Sequence, residues 1–336
     1  MLVLFLGVYI VRDFARLSDS LSTHIALSGE KEKDFIQWVD FTVTKEAMQE
    51  AYEYDVNTYG KEVHLDWIAL LACQACRNGG DFSSYKSGDL SETAEKLLTE
   101  ECSIDELTKD MKYYDYYYEA YEAVLGGLVG EYEIEASTDT FEKRYGLKGF
   151  LPLAKNFPYS DYDDFGVSRS YGYKRQHLGH DMMGQIGTPV IAVESGYVEA
   201  IGWNQYGGWR LGIRSFDGKR YYYYAHLRQN FPYCKDLEEG SVVTAGDVIG
   251  YLGHTGYSSK ENVNNIDTPH LHFGLQLIFD ESQKEGNGEI WVSCYELTKF
   301  LWQNRSETVK NEETKEWMRI IRMRDPAVEE WKKKEG

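Results

Sequence analysis

Positive charge is scarce in this chain of 336 residues: 36 Lys and Arg stand against 55 Asp and Glu, a formal net charge of −19. A nucleic-acid footprint needs a basic face to neutralise phosphates, so that class of partner is excluded. The same field repels anionic membranes and wall polymers, and a polyanionic ligand would have to be gripped locally. Cysteine is sparse as well. Cys73, Cys76, Cys102, Cys234 and Cys294 are odd in number and scattered, which is no disulfide framework. Cys73-Gln-Ala-Cys76 has the spacing of half a zinc knuckle or a redox pair, but no second CxxC completes a four-cysteine site. Its place in a helical pattern reads as two small buried apolar residues. A run of apolar residues long enough to cross a bilayer is missing too. Met1 to Val11 is apolar for 11 residues and then meets Arg12-Asp13, whereas a spanning helix needs about 20. Residues 1–22 read as a remnant membrane anchor or a signal segment, with a buried first helix as the bland alternative.

What is present is a folding chain. Hydrophobic residues make up 42%, aromatics 15%, and 27 of the latter are Tyr, enough for two domains with their own cores. Residues 23–135 read as an acidic α-helical domain. Val63, Trp67, Leu70 and Leu71 recur at helical spacing, as do Leu107, Met111, Tyr114, Tyr118, Tyr121, Leu125 and Leu128. The Tyr113–Tyr118 run reads as a helix interface with wet hydroxyls. Glu131 and Glu133 are a carboxylate pair with nothing beside them to suggest a cleft. Residues 136–150 are polar and read as a linker. From 151 to 303, short alternating runs punctuated by glycine predict an antiparallel all-β domain. Residues 304–336 read as a charged, helical, solvated tail. The expected fold class is α+β and multidomain.

Six of the eight histidines fall between His177 and His272. In Pro269-His270-Leu271-His272-Phe273-Gly274-Leu275-Gln276-Leu277 the apolar residues alternate strictly, so the stretch predicts a strand with Leu271, Phe273, Leu275 and Leu277 in the core. His270 and His272 then share the other face, roughly 6–7 Å apart. That spacing suits one imidazole on a metal and the other over a substrate, or else two surface histidines. His177 and Asp181 would stand about 13 Å apart in an extended strand, and Gly179 between them is expected to bend the backbone so that they converge. Two histidines and a carboxylate make a three-ligand zinc set with one position open, the form of a catalytic site. Alternation places Tyr222, Tyr224 and His226 on one face. His180 and His254 read as surface or turn residues.

The ordered motifs His177–Asp181, Gly187–Val198, Tyr224–Leu227, Val243–Gly256 and Pro269–Phe273 resemble the M23 (LytM/lysostaphin-type) zinc endopeptidases over roughly Leu151 to Phe300. The resemblance implies a fold of the duplicated hybrid-motif kind and one Zn²⁺ per chain. It implies that His177, Asp181 and His272 are the metal ligands and that His226 and His270 are the catalytic pair facing the scissile peptide. It further implies hydrolysis of the peptide portion of bacterial peptidoglycan, in stem or cross-bridge, at the cell envelope or outside the cell. Two departures stand out. Gly274 follows HLHF where the family often has Glu, removing an outer carboxylate. The segment from Tyr257 to Thr268 is long and should rim the cleft. The alternative reading is a catalytically silent envelope scaffold that uses the same fold to bind a partner. Oligomeric state has no signature in the sequence.

Overall fold

Strict alternation and tight turns build the sheet that carries the histidines. The computed structural model describes residues 35–170 and 174–335, and the expected anchor at 1–22 lies outside them. Helices come first, at Lys45–Thr58, Trp67–Asn78, Ser91–Leu98, Ile104–Thr108 and Tyr114–Leu125. Thr44 and Asp66 cap the first two by accepting backbone N–H bonds. Gly79, at φ 69°, ends the second in the left-handed conformation. The Leu107–Leu128 periodicity is divided between two helices.

The strands follow: β1 (Val129–Ser137), β2 (Thr140–Leu147), β3 (Tyr159–Ser160), β4 (Ser168–Ser170), β5 (Lys174–Gln176), β6 (His180–Gly184), β7 (Pro189–Ile191), β8 (Gly196–Asn204), β9 (Gly208–Ser215), β10 (Arg220–Ala225), β11 (Val242–Val243), β12 (Val248–Tyr251), β13 (His270–Leu277) and β14 (Ile290–Val292). Antiparallel pairing gives a sheet in the order β11-β8-β9-β10-β13-β6-β3, with β14 also paired to β13. One face is core. Leu211, Tyr222, Tyr224, Leu271, Phe273, Leu275 and Leu277 are fully enclosed. The other face is the floor of a groove.

Three boundary expectations are corrected. The stretch read as a linker, 136–150, holds the turn and second strand of a hairpin whose first strand begins at Val129, inside the expected helical domain. Tyr132 and Ile134 alternate with Glu131, Glu133 and Glu135, which is a strand period, and Asp139 turns the chain at φ 60°. The region read as a tail forms β15 (Thr308–Lys310), β16 (Trp317–Arg319), β17 (Met323–Arg324) and a closing helix, Pro326–Glu335. It is not merely solvated: Met323 pairs with Ile134, Asp325 is buried against Lys148 and Ser195, and Trp331 stacks on Tyr197. Finally, residues 38–336 form one unit, not separate helical and β domains.

Arg220 explains much of that unity. Its side chain is completely enclosed, holds Glu194 through two bonds of 2.7 and 3.1 Å and Asp217 at 2.6 Å, and donates to the carbonyls of Glu122 and Ala123 at the end of helix Tyr114–Leu125. Helix Tyr295–Leu301 adds a second tie: Glu296 accepts the Lys45 N–H, and Phe300 stacks on Trp67. The Tyr113–Tyr118 run packs as expected of a helix interface, with the Tyr118 hydroxyl on Asp66 and that of Tyr116 on the Trp38 carbonyl. Replacing Arg220 by Ala strands Glu194 in the core and is expected to cost about 3–5 kcal/mol. Urea denaturation checks this, and Arg220→Met/Glu194→Leu should recover part of the loss.

Candidate metal centre and groove

Pairing of β6 with β13 sets His272 directly opposite Asp181 and His270 opposite Met183, so the facing side chains of Asp181 and His272 are in reach of each other. Asp181 Oδ1 lies 2.8 Å from His272 Nδ1 and 3.0 Å from His177 Nε2, and the two nitrogens are 3.0 Å apart. His177 enters from the segment before β6, pinned by its N–H to the Val167 carbonyl. All three side chains are largely withdrawn from solvent. Among the described residues this is the only His/Cys/Asp/Glu group gathered closely enough to hold a metal ion. Two imidazole nitrogens and one carboxylate oxygen are the donors zinc takes in catalytic sites, so the residues fit the metal that the resemblance implies.

The surroundings orient these donors. His177 Nδ1 bonds the Asp164 carbonyl at 3.3 Å, with Asp164 Oδ1 also 3.0 Å away, which places the ring proton on Nδ1 and leaves the Nε2 lone pair facing the centre. Arg169 spans both acids, donating to Asp181 Oδ2 at 2.7 Å and to Asp164. Burial opposes ionisation of Asp181, yet bonds from His177 and His272, with the fields of His272 and His270, hold its carboxyl far below the usual carboxylate range. Burial, helped by neighbouring histidines, likewise holds His272 and His226 below the ordinary imidazole value.

His226 and His270 stand beside the three donors. Their ring centroids are 4.8 Å apart, and that of His226 is 5.8 Å from His272. His226 Nδ1 is 2.9 Å from the Thr255 carbonyl, and His270 Nδ1 is 2.8 Å from that of Thr268. A carbonyl can only accept, so each ring carries its proton on Nδ1 and presents a bare Nε2.

Several expectations need correction. Tyr222 and Tyr224 face the core, and His226 does not share their face. His226 adopts φ 61°, which breaks the alternation just past β10 and turns the ring into the groove. Gly179 acts by close approach: a Cβ there would lie 2.5 Å from His272 Cε1 and 2.9 Å from the Phe273 carbonyl. His180 is buried on β6 and bonded to Asp161 at 2.9 Å, not at the surface. His254 bonds the Ile266 carbonyl across the base of the long loop. Asp164 and Arg169 had no signal in the sequence, since no spacing rule links a carboxylate 13 residues upstream to His177. At Gly274 a Cβ would come within 2.8 Å of the Trp291 ring, so this position serves packing.

A groove of about 880 Å³ runs along the open face from His177, His226 and His272 past Tyr223 and Arg210 to Trp291. Tyr257, on the long loop, lines it, and Asn262 of that loop accepts from Trp209 Nε1 at 2.9 Å.

Residues 175–285 match the family described as peptidase family M23. This stretch of the chain is an M23 domain. The chain resembles the L-Ala–D-Glu endopeptidase of Bacillus subtilis, 38% identical over 125 residues, which are 37% of this chain and 37% of that protein. It also resembles lysostaphin of Staphylococcus simulans, 39% identical over 98 residues, 29% of this chain and 17% of that protein. The chain thus spans little more than a third of these curated relatives at most. A solved structure from Ruminococcus gnavus, assigned provisionally as a glycyl-glycine endopeptidase lytM, is 26% identical. It covers 79% of this chain and 90% of its own, with a TM-score of 0.52. The likeness of fold therefore extends well outside the M23 domain.

Because the Asp164 carboxylate lies 3.0 Å from His177 Nδ1 and also accepts from Arg169, Asp164→Asn is expected to weaken zinc binding about 10- to 100-fold with the fold intact. Competition with a chromogenic chelator measures this, and unchanged affinity would show that Asp164 has no orienting role.

Proposed function

We propose that this chain is a zinc-dependent endopeptidase hydrolysing peptide bonds of peptidoglycan stem peptides or cross-bridges, at the cell envelope or outside the cell. The convergence of His177 Nε2, Asp181 Oδ1 and His272 Nδ1 within 3.0 Å carries the reading. The named relatives, two of them endopeptidases acting on defined linkages or named lysostaphin, support it. Zinc, where bound by these three residues, supplies Lewis acidity that acidifies water and polarises a peptide carbonyl.

The remaining chemistry belongs to the chain. His226 offers its Nε2 at the groove and His270 stands beside it with its Nε2 toward Asp181, the two rings fixed by the Thr255 and Thr268 carbonyls. Either can take a proton from an attacking water and return it to the leaving amine, and an imidazolium so formed would stabilise negative charge on the carbonyl oxygen. His270 Nε2 lies 3.6 Å from Asp181 Oδ2, beside the metal donors, and on that placement we assign the proton shuttle to His270. The low intrinsic basicity that burial gives His226 suits it to remain neutral. The groove beyond has room for an extended peptide running from the metal centre past Tyr223 to Trp291.

Mass spectrometry of products from purified peptidoglycans tests the proposal. Hydrolysis should vanish with chelator and with His177→Ala. His270→Ala should retain zinc yet lose about 10²- to 10⁴-fold in kcat. Stoichiometric zinc without hydrolysis of any peptidoglycan would instead favour the scaffold reading.

A further inference from the structure

Arg210 is a half-buried cation with no salt-bridge partner among the described residues. It projects from β9 onto the groove face, and its Nη1 is enclosed without any hydrogen-bond partner among the described residues. Its counterpart four residues on, Arg214, is saturated: it donates to the Gly218 carbonyl at 2.6 Å and pairs with Glu199 at 3.4 Å and Glu281 at 2.8 Å. Arg220 is saturated likewise. Of the acids that line the groove, Glu199 is engaged by Arg214 and Lys284, Glu289 by Trp291 Nε1, and Glu285 is exposed and forms no ion pair with Arg210. A guanidinium does not deprotonate in proteins, and leaving part of one enclosed and unpaired is costly. Such a group is either an accident of packing or a half-built ion pair.

Its place in the sheet favours the second. Leu211 pairs with Tyr224, and Ala225 pairs with His272, which faces Asp181. Arg210, one step past Leu211, therefore stands in the row of Ala225, His272 and Asp181, with only the Ala225 methyl intervening. Two strand spacings put it about 10 Å from His272, a span of about three extended residues at most. In a chain of net charge −19, a local cation is what would let a peptide with its own negative charge settle here.

We propose that Arg210 binds a free carboxylate of the peptide substrate, within three residues of the bond cut, and so selects acidic stem peptides over uncharged glycine bridges. The inference rests on the endopeptidase reading and names its substrate class. A planar guanidinium meets a carboxylate through two parallel bonds, a match that an amide in the same position cannot make. Arg210 is a specificity residue. It does not touch the reacting atoms.

The test compares kcat/KM for L-Ala-γ-D-Glu-L-Lys peptides whose glutamyl α-carboxylate is free or amidated, in versions with the C-terminal carboxylate free or amidated, and for pentaglycine. The wild-type protein should prefer one acid over its amide by about 10- to 100-fold, and the pair of substrates that shows the preference identifies which carboxylate is held. Arg210→Met should bring that ratio to about one, and Arg210→Lys should restore part of it, with zinc content equal in all three proteins. Equal rates on acids and amides, or a preference that persists in Arg210→Met, would overturn the proposal. Should the wild-type protein hydrolyse none of them, the endopeptidase reading fails by itself. Calorimetric titration of the same uncleaved peptides then decides: tighter binding of an acid that disappears in Arg210→Met supports the carboxylate site, and equal binding of acid and amide refutes it.

Discussion

The register between β6 and β13 is the constraint on which the site depends. A slip of one residue would turn His270 and His272 into the core and bring Leu271 and Phe273 to the groove. Burial of Leu271, Phe273, Leu275 and Leu277 on the opposite face forbids that slip. The hydrophobic face of the strand therefore fixes the polar one, and Asp181 opposite His272 follows from packing before any metal is considered. His177 is added by a short segment that carries no strand pairing of its own at that point. It depends on the Val167 carbonyl, Asp164 and the small volume of Gly179.

The parts of the molecule legible in the sequence are those governed by this periodicity. The strand from His270 to Leu277 was readable residue by residue, and the clustering of His177, Asp181 and His272 followed from motif order together with the open position that a catalytic zinc requires. His226 was harder. Alternation alone sends it to the core face beside Tyr222 and Tyr224, and only a left-handed backbone turns it outward. No pattern in the sequence marks that conformation for a histidine. Asp164 and Arg169 lie in a polar stretch without periodicity, so their contacts emerge only in three dimensions. The hairpin from Val129 to Leu147 did carry a strand signal, in Tyr132 and Ile134 between glutamates, but the long tyrosine-rich helical pattern just before it masked the change of period. Strands of two or three residues such as β17 are too short for any periodic reading.

The helical half and the C-terminal segments act on the site from a distance. Arg220 and Glu194 lock helix Tyr114–Leu125 to the strands behind the groove, and Asp325 anchors the closing segment to Lys148 and Ser195. Burial pushes the thiols of Cys73 and Cys76 up to about 12 and about 11, consistent with packing residues and not with a redox pair. Cys234 and Cys294 are raised to about 12 in the same way. The chemistry of the protein is thus concentrated on one face of one sheet.

Whether the three convergent donors are metal ligands is the central question, and X-ray absorption at the zinc edge of the zinc-loaded protein answers it most directly. The account predicts a first shell of nitrogen and oxygen only, at about 2.0–2.2 Å, with the imidazole scattering of two histidines. A sulfur shell at about 2.3 Å, or a spectrum unchanged in His272→Ala, would contradict it.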